Sequence, residues 1–319
     1  MGKIKTMIGL YITLGVLAFL AVLFLVAAYF AYRKIFFSDR RKKRDAYAGI
    51  DKRGFKPYTE RIRSLIDNFS SVPFERVYIT SRDGLRLSAR YYHSREGAPL
   101  EIQVHGYRGN PLRDCVGSGI EGLKIGHNLL LIDQRANGES EGKTITFGIK
   151  ERFDVIDWIN YSVERFGSET KILLTGVSMG AATVLMAAGE GLPKNVRGVW
   201  ADCPFSSPID IITDVGSRGR IPKFAVRALA ISGAAIFGRF AIRSCDAVSA
   251  VKRTDVPILL IHGDADTFVP FSMSEEIYNS NPNIIFKGFE GAEHATSYLS
   301  HTESYVETLN SFKTTVLED

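Results

Sequence analysis

The chain has 319 residues, 45% of them hydrophobic and 24% charged, proportions that exclude a disordered or fibrous protein. Its 40 Lys and Arg against 35 Asp and Glu give +5, but the excess is local: residues 1–45 carry nine basic and two acidic groups, and the other 274 residues are close to neutral at −2. A nucleic-acid-binding body is therefore excluded, and enough chain follows residue 45 for one large domain with a substantial core.

From Thr6 to Tyr32 the chain runs for 27 residues without a charge. As a helix this stretch would rise roughly 40 Å, more than the ~30 Å of a bilayer's hydrocarbon core. It has no polar stripe of the kind a soluble surface helix shows. No small-residue cleavage zone follows it; instead come Arg33, Lys34 and the run Arg40–Arg44. That pattern predicts an uncleaved membrane span over residues 6–32 rather than a signal peptide. Two basic residues precede the span and seven follow it, so the positive-inside bias places the C-terminal domain in the cytoplasm. Residues 40–44 form a basic collar suited to an anionic leaflet. Cys115, Cys203 and Cys245 are widely spaced, with no C-x-x-C pair, which predicts neither a disulfide scaffold nor a zinc site.

Residues 46–71 read as a linker with a short helix over Tyr58–Phe69. Two alternating runs, Val77–Thr80 and Leu85–Tyr92, flank Asp83-Gly84 and predict a β-hairpin. Further strands are expected at Glu101–Val104, Asn128–Ile132, Lys171–Thr175, Val196–Ala201, Pro257–Ile261 and Asn283–Phe289. Helices are expected at Ile149–Phe166, Met179–Gly189, Ser272–Asn279 and Ser297–Val316. Several strands are near-continuous Ile, Leu and Val, as in a parallel sheet covered on both faces. A hairpin followed by strand–helix repeats predicts an α/β fold occupying residues 72–319. About 55 residues separate the strand ending at Ala201 from the one starting at Pro257. They predict a helical cap over about 205–252, containing the apolar stretch Lys223–Ile242.

The chemistry concentrates at a few turns. Gly176-Val-Ser178-Met-Gly180 lies between a predicted strand and an Ala-rich helix, a context that presents a serine hydroxyl on a tight turn at a helix N-terminus. Serine needs a base to take its proton and an acid to orient that base, following it in the order acid, then histidine. The late histidines are His294, in the turn after the last strand, and His301, inside the terminal helix. His294 fits the base and His301 a packing residue. For the acid, Asp264 and Asp266 end a buried strand, and Asp202 ends an earlier one. His262 reads as a turn residue under that loop, and His105 as a loop-bonding residue. An oxyanion would be held by the backbone N–H groups of Tyr107 and Met179.

Five segments together carry a resemblance: His105-Gly-Tyr-Arg-Gly-Asn110, Asp133-Gln-Arg135-Ala-Asn-Gly138-Glu-Ser140, Gly176–Gly180, His262-Gly-Asp-Ala-Asp266 and Gly291–His294. In this order, over about residues 75–315, they resemble the serine α/β-hydrolases, and among these the membrane-anchored bacterial proteins with one N-terminal span. The resemblance implies an eight-stranded, mostly parallel sheet and a Ser178–His294–Asp266 triad, selecting Asp266 over Asp264. Where the family has Arg-Gly-His-Gly after the fourth strand, this chain has Arg135-Ala136-Asn137-Gly138. The expected activity is hydrolysis of a small-molecule or lipid acyl ester, with no metal or organic cofactor. Thioester or amide cleavage is the enzymatic alternative and a tethered binding module the non-enzymatic one.

Overall fold

A computed structural model of the chain describes residues 2–39 and 45–318; the expected collar at Arg40–Arg44 lies outside them. Eight strands form one sheet: β1 (Glu75–Thr80), β2 (Arg86–Tyr92), β3 (Leu100–Val104), β4 (Asn128–Asp133), β5 (Ile172–Val177), β6 (Val196–Asp202), β7 (Ile258–Gly263) and β8 (Ile284–Phe289). Their order is β1-β2-β4-β3-β5-β6-β7-β8. β2 runs antiparallel to β1 and to β4, and the remaining pairs are parallel. Every residue of β3, β4 and β7 is buried, as expected of strands covered on both faces. The hairpin turns through Gly84 at φ +84°, with Gly84 N–H donating to the Ser81 carbonyl at 2.9 Å.

Helices Glu151–Phe166 and Met179–Ala188 cover one face, where Trp158, Val184 and Leu185 meet Ile102, Leu130 and Leu174. On the other face the C-terminal helix packs Tyr305, Leu309 and Phe312 against Leu173, Trp200 and Leu259. That helix was expected as one piece, yet the chain forms Ser297–Ser300, breaks at His301 and resumes as Thr302–Glu318. The half-buried His301 stands at the break, its ring 5.5 Å from Phe289. Two short helices that the apolar pattern did not reveal, Pro111–Asp114 and Val116–Lys124, join β3 to β4. The helix Thr59–Ser70 buries Ile62, Ile66 and Phe69.

Between β6 and β7 lie helices Pro208–Ser217, Lys223–Ser232 and Ala247–Val251. The expected helix Lys223–Ile242 is shorter: after Ser232 it relaxes into a π-helical turn, Gly233–Gly238, and Arg239 ends it in a left-handed conformation. The N-terminal helix, Gly2–Ile35, is long and apolar enough to cross a membrane. Its last turns are not free. Ala28, Tyr32 and Phe36 are buried, and Phe36 meets Phe147 and Phe240 edge-on at 5.9 and 5.3 Å. Just beyond the helix, Ser38 N–H donates to Lys143 O at 2.9 Å and Ile145 N–H to Phe36 O at 2.8 Å.

One ionic cluster is fully enclosed. Glu101 on β3 pairs with Lys313 at 2.7 Å, receives Gln103 Nε2–H at 3.1 Å and lies 2.8 Å from His127 Nδ1. Burial alone would raise the Glu101 carboxyl pKa; the Lys313 charge and the His127 bond hold it below its ordinary value. Removing one member leaves the other charge uncompensated in the core. Lys313→Met is expected to cost about 3–5 kcal/mol in urea unfolding of the detergent-solubilised full chain, and adding Glu101→Gln to restore most of it. A Lys313→Met protein as stable as the parent would contradict the assignment.

Candidate active site

The parallel strands end at one edge of the sheet, and the loops leaving β3, β5, β6, β7 and β8 meet there. β5 leads through Ser178 into the helix Met179–Ala188. Ser178 has φ +56° and ψ −116°, a left-sided conformation that a residue with a side chain adopts at a cost of a few kcal/mol. The turn closes only because its flanks are glycine: a Cβ on Gly176 would overlap the Gly180 carbonyl, and one on Gly180 the Val104 carbonyl. Ser178 N–H donates to Asp202 O at 2.8 Å, fixing the turn to the end of β6.

The structure brings Ser178, His294 and Asp266 together. Ser178 Oγ lies 3.1 Å from His294 Nε2, and His294 Nδ1 lies 2.6 Å from Asp266 Oδ2. With the imidazole proton on Nδ1, that nitrogen donates to the carboxylate and Nε2 accepts from the serine hydroxyl. Asp266 is buried, and its other oxygen accepts the N–H groups of Phe268 and Val269, each at 2.8 Å. Burial opposes ionisation there, but hydrogen bonds from His262 and His294 hold the Asp266 pKa well below the ordinary carboxylate value. Asp264 points elsewhere, accepting Gly291 N–H at 2.7 Å.

His262 is not in a turn but on β7, fully buried, with Nε2 3.1 Å from both Asp266 Oδ2 and the Val269 carbonyl. Its Nδ1 lies 2.7 Å from Ser274 Oγ. A second histidine thus shares the carboxylate, a contact that spacing i, i+4 across a strand end does not announce. Cys203 is a further neighbour that the sequence reading passed over: its sulfur and the ligand atoms of Asp266 and His294 all lie within 4.8 Å of one another. Arg108, Ser178, Cys203 and Ala295 all have positive φ and all border this edge, so backbone strain gathers around the site.

The loop after β3 lies beside Ser178: a Cβ on Gly106 would stand 3.6 Å from the Ser178 Cβ. Asp114 braces it, accepting Gly106 N–H at 2.9 Å. His105 is buried and bonds the loop, its Nδ1 2.8 Å from Gly106 O and its Nε2 accepting Gln134 N–H at 3.1 Å. Met179 is the first residue of its helix, where backbone N–H groups have no acceptor within the helix. Tyr107 reaches away from the site, its hydroxyl donating to the Ile35 carbonyl at 2.6 Å. Beside His294 a cavity of about 190 Å³ is lined by Phe55, Thr267, Phe268 and Glu293.

Residues 104–235 match the family model described as alpha/beta hydrolase fold. Among curated proteins, the uncharacterized protein YqkD of Bacillus subtilis is 28% identical over 193 residues, a match taking in 60% of this chain and 63% of YqkD. YfhR of Escherichia coli K12 is 27% identical over 219 residues, 64% of this chain and 67% of that one. Among solved structures, an esterase of Pyrococcus furiosus is similar with a TM-score of 0.63 at 23% identity, covering 80% of this chain and 93% of its own. Est1E of Butyrivibrio proteoclasticus, solved with ferulic acid, has a TM-score of 0.59 at 21% identity, covering 76% of this chain and 100% of its own.

Asp202, the other acid considered, receives the Tyr305 hydroxyl at 3.0 Å and makes no bond to His294. Burial pushes its pKa up to about 6, against the opposing pull of the Tyr305 bond and of His262 and His294. A carboxyl whose pKa is raised on folding favours the folded state below its unfolded value near 4, and that contribution disappears as pH rises through about 6. Asp202→Asn is therefore expected to be more stable than the parent at pH 8, by up to about 3 kcal/mol, with the difference closing by pH 4. Paired unfolding curves at the two pH values measure this; a difference independent of pH would contradict it.

Proposed function

The chain is an alpha/beta-hydrolase-fold protein, and from that premise we propose that it is a membrane-anchored serine hydrolase that cleaves carboxylic esters through an acyl-Ser178 intermediate. The observation that carries this reading is the unbroken chain Ser178 Oγ–His294 Nε2, 3.1 Å, and His294 Nδ1–Asp266 Oδ2, 2.6 Å. His294 takes the hydroxyl proton as Ser178 attacks the acyl carbon, and returns it to the departing alcohol. Asp266 keeps the imidazole in the required tautomer and stabilises its charged form. The Tyr107 and Met179 amides receive the oxyanion, each contributing about 3–4 kcal/mol to the transition state. Water, activated by the same histidine, then releases the acid. Thioesters follow the same route with a thiol as leaving group.

The anchor reading has its own support. Ala28, Tyr32 and Phe36, inside and just beyond the apolar stretch, are buried against the rest of the chain, and removal of the stretch as a signal peptide would strip that contact. We place the span at residues 6–32, the catalytic domain at 72–319 and, from the seven basic residues after the span against two before it, that domain in the cytoplasm.

Membranes holding the full chain should label with a fluorophosphonate probe and hydrolyse p-nitrophenyl esters, and Ser178→Ala should lose both. Asp266→Asn should lower kcat by about 10⁴ with KM little changed, while Asp264→Asn stays near the parent. Labelling that persists in Ser178→Ala would overturn the assignment.

A further inference from the structure

The cap is fixed to the membrane helix at a definite height. A Cβ on Gly233 would lie 2.9 Å from the Ala28 carbonyl and 3.2 Å from Tyr32 N, so the π-helical turn and the N-terminal helix are in near backbone contact. Phe237 packs edge-on against Tyr29 at 5.3 Å and lies 6.1 Å from Tyr32. A hydrocarbon core of about 30 Å takes some 20 residues of helix, so the uncharged stretch ends at the level of Ala28–Tyr32, where Arg33 and Lys34 begin. The turn seated on those residues sits at the boundary between acyl chains and headgroups.

The same cap exposes apolar and cationic side chains. Ile221, Phe224 and Ile236 are exposed at 48, 78 and 50%. Residues 215–245 contain Arg218, Arg220, Lys223, Arg227, Arg239 and Arg243 and no acidic residue at all. Arg218 and Arg227 pair with Asp214 and Asp210 on the preceding helix, and Arg220, Lys223, Arg239 and Arg243 are exposed. Apolar side chains interleaved with unopposed cations are what an interfacial helix presents to an anionic bilayer. On the inner side, Val226, Ala230, Phe240 and Ile242 join the apolar cluster that contains Met179, next to Ser178.

We propose that the cap, residues 218–243, docks on the anionic leaflet beside the span, inserting Phe224 and Ile236 at the headgroup boundary. The docking rests on the reading of residues 6–32 as a span; the substrate class it implies rests also on the chemistry assigned to Ser178. It makes the cap a membrane-seated wall of the site, and substrates whose acyl chains reside in the bilayer the class this enzyme meets.

The test uses the full chain reconstituted into vesicles of phosphatidylcholine and phosphatidylglycerol, with a brominated phosphatidylcholine as quencher. Trp158 and Trp200, the two native tryptophans, are both buried and supply a background that the parent chain measures. In Phe224→Trp, the added emission should be blue-shifted and fall by about half with lipid brominated near the headgroup, as for a side chain at the acyl boundary. Adding Arg220→Gln, Lys223→Gln and Arg239→Gln should reduce that quenching. A control, Phe19→Trp, reads the span and should be quenched by lipid brominated deep in the chain. If Phe19→Trp is quenched while Phe224→Trp emits as in water and responds only to aqueous iodide, the docking proposal is overturned and the span stands. If neither is quenched, the span reading fails and the proposal with it.

Discussion

The backbone at Ser178 is the constraint on which the rest of the molecule depends. A non-glycine residue at φ +56° is unfavourable by itself and persists only where its surroundings leave no alternative. Here β5 enters the turn from one side, the Met179–Ala188 helix leaves it on the other, and glycines at 176 and 180 let the two approach until no further atom fits. Because Gly180 also presses on the end of β3, the same close contact sets where the loop through Gly106 and Tyr107 begins. The hydroxyl is held toward His294 because the backbone has nowhere else to put it.

Electrostatics divides along the chain in the same way that packing does. The body is near neutral, and several of its buried charges are paired internally, as in Arg135, which bonds both Asp154 and Asp83. Along the sequence, the excess of positive charge falls in the residues that follow the apolar stretch and in the cap. These two parts also meet the site. Tyr107 donates to the Ile35 carbonyl at 2.6 Å, and Arg108 donates to the carbonyls of Lys34 and Phe37, both at 2.9 Å. The loop read as holding the oxyanion is thus tied to carbonyls at and just beyond the end of the N-terminal helix. The N-terminal helix and the candidate site form one packed unit.

The fold was largely legible because eight apolar runs of strand length carry their own signal, and the turn glycines mark where strand gives way to helix. The short helices at 111–124 were not, because Gly117, Gly119 and Gly122 erase the apolar period there. Phe69 and Tyr298 press so close to two of these glycines that no side chain fits. The break at His301 is likewise set by what surrounds it. Arg135-Ala136-Asn137-Gly138 departs from the family pattern in a turn where Ala136 takes φ +61°, a conformation glycine would hold without strain. At the site, residue type and chain order singled out Ser178 and His294, and resemblance selected Asp266. The second histidine on that carboxylate and the burial of Tyr32 and Phe36 needed three dimensions, since each joins residues brought together only by the folded sheet. Charge arithmetic, by contrast, had already separated the basic N-terminus from the neutral body.

The proposed chemistry turns on passage of the acyl group through covalent attachment to Ser178. Its most direct test is mass spectrometry of the full chain, acid-quenched within a turnover of a p-nitrophenyl acyl ester and digested to peptides. The expected result is a single acyl group on the peptide carrying Ser178, formed with release of p-nitrophenol and lost as hydrolysis proceeds. Release of p-nitrophenol with no adduct, or with the acyl group on the neighbouring Cys203, would contradict it.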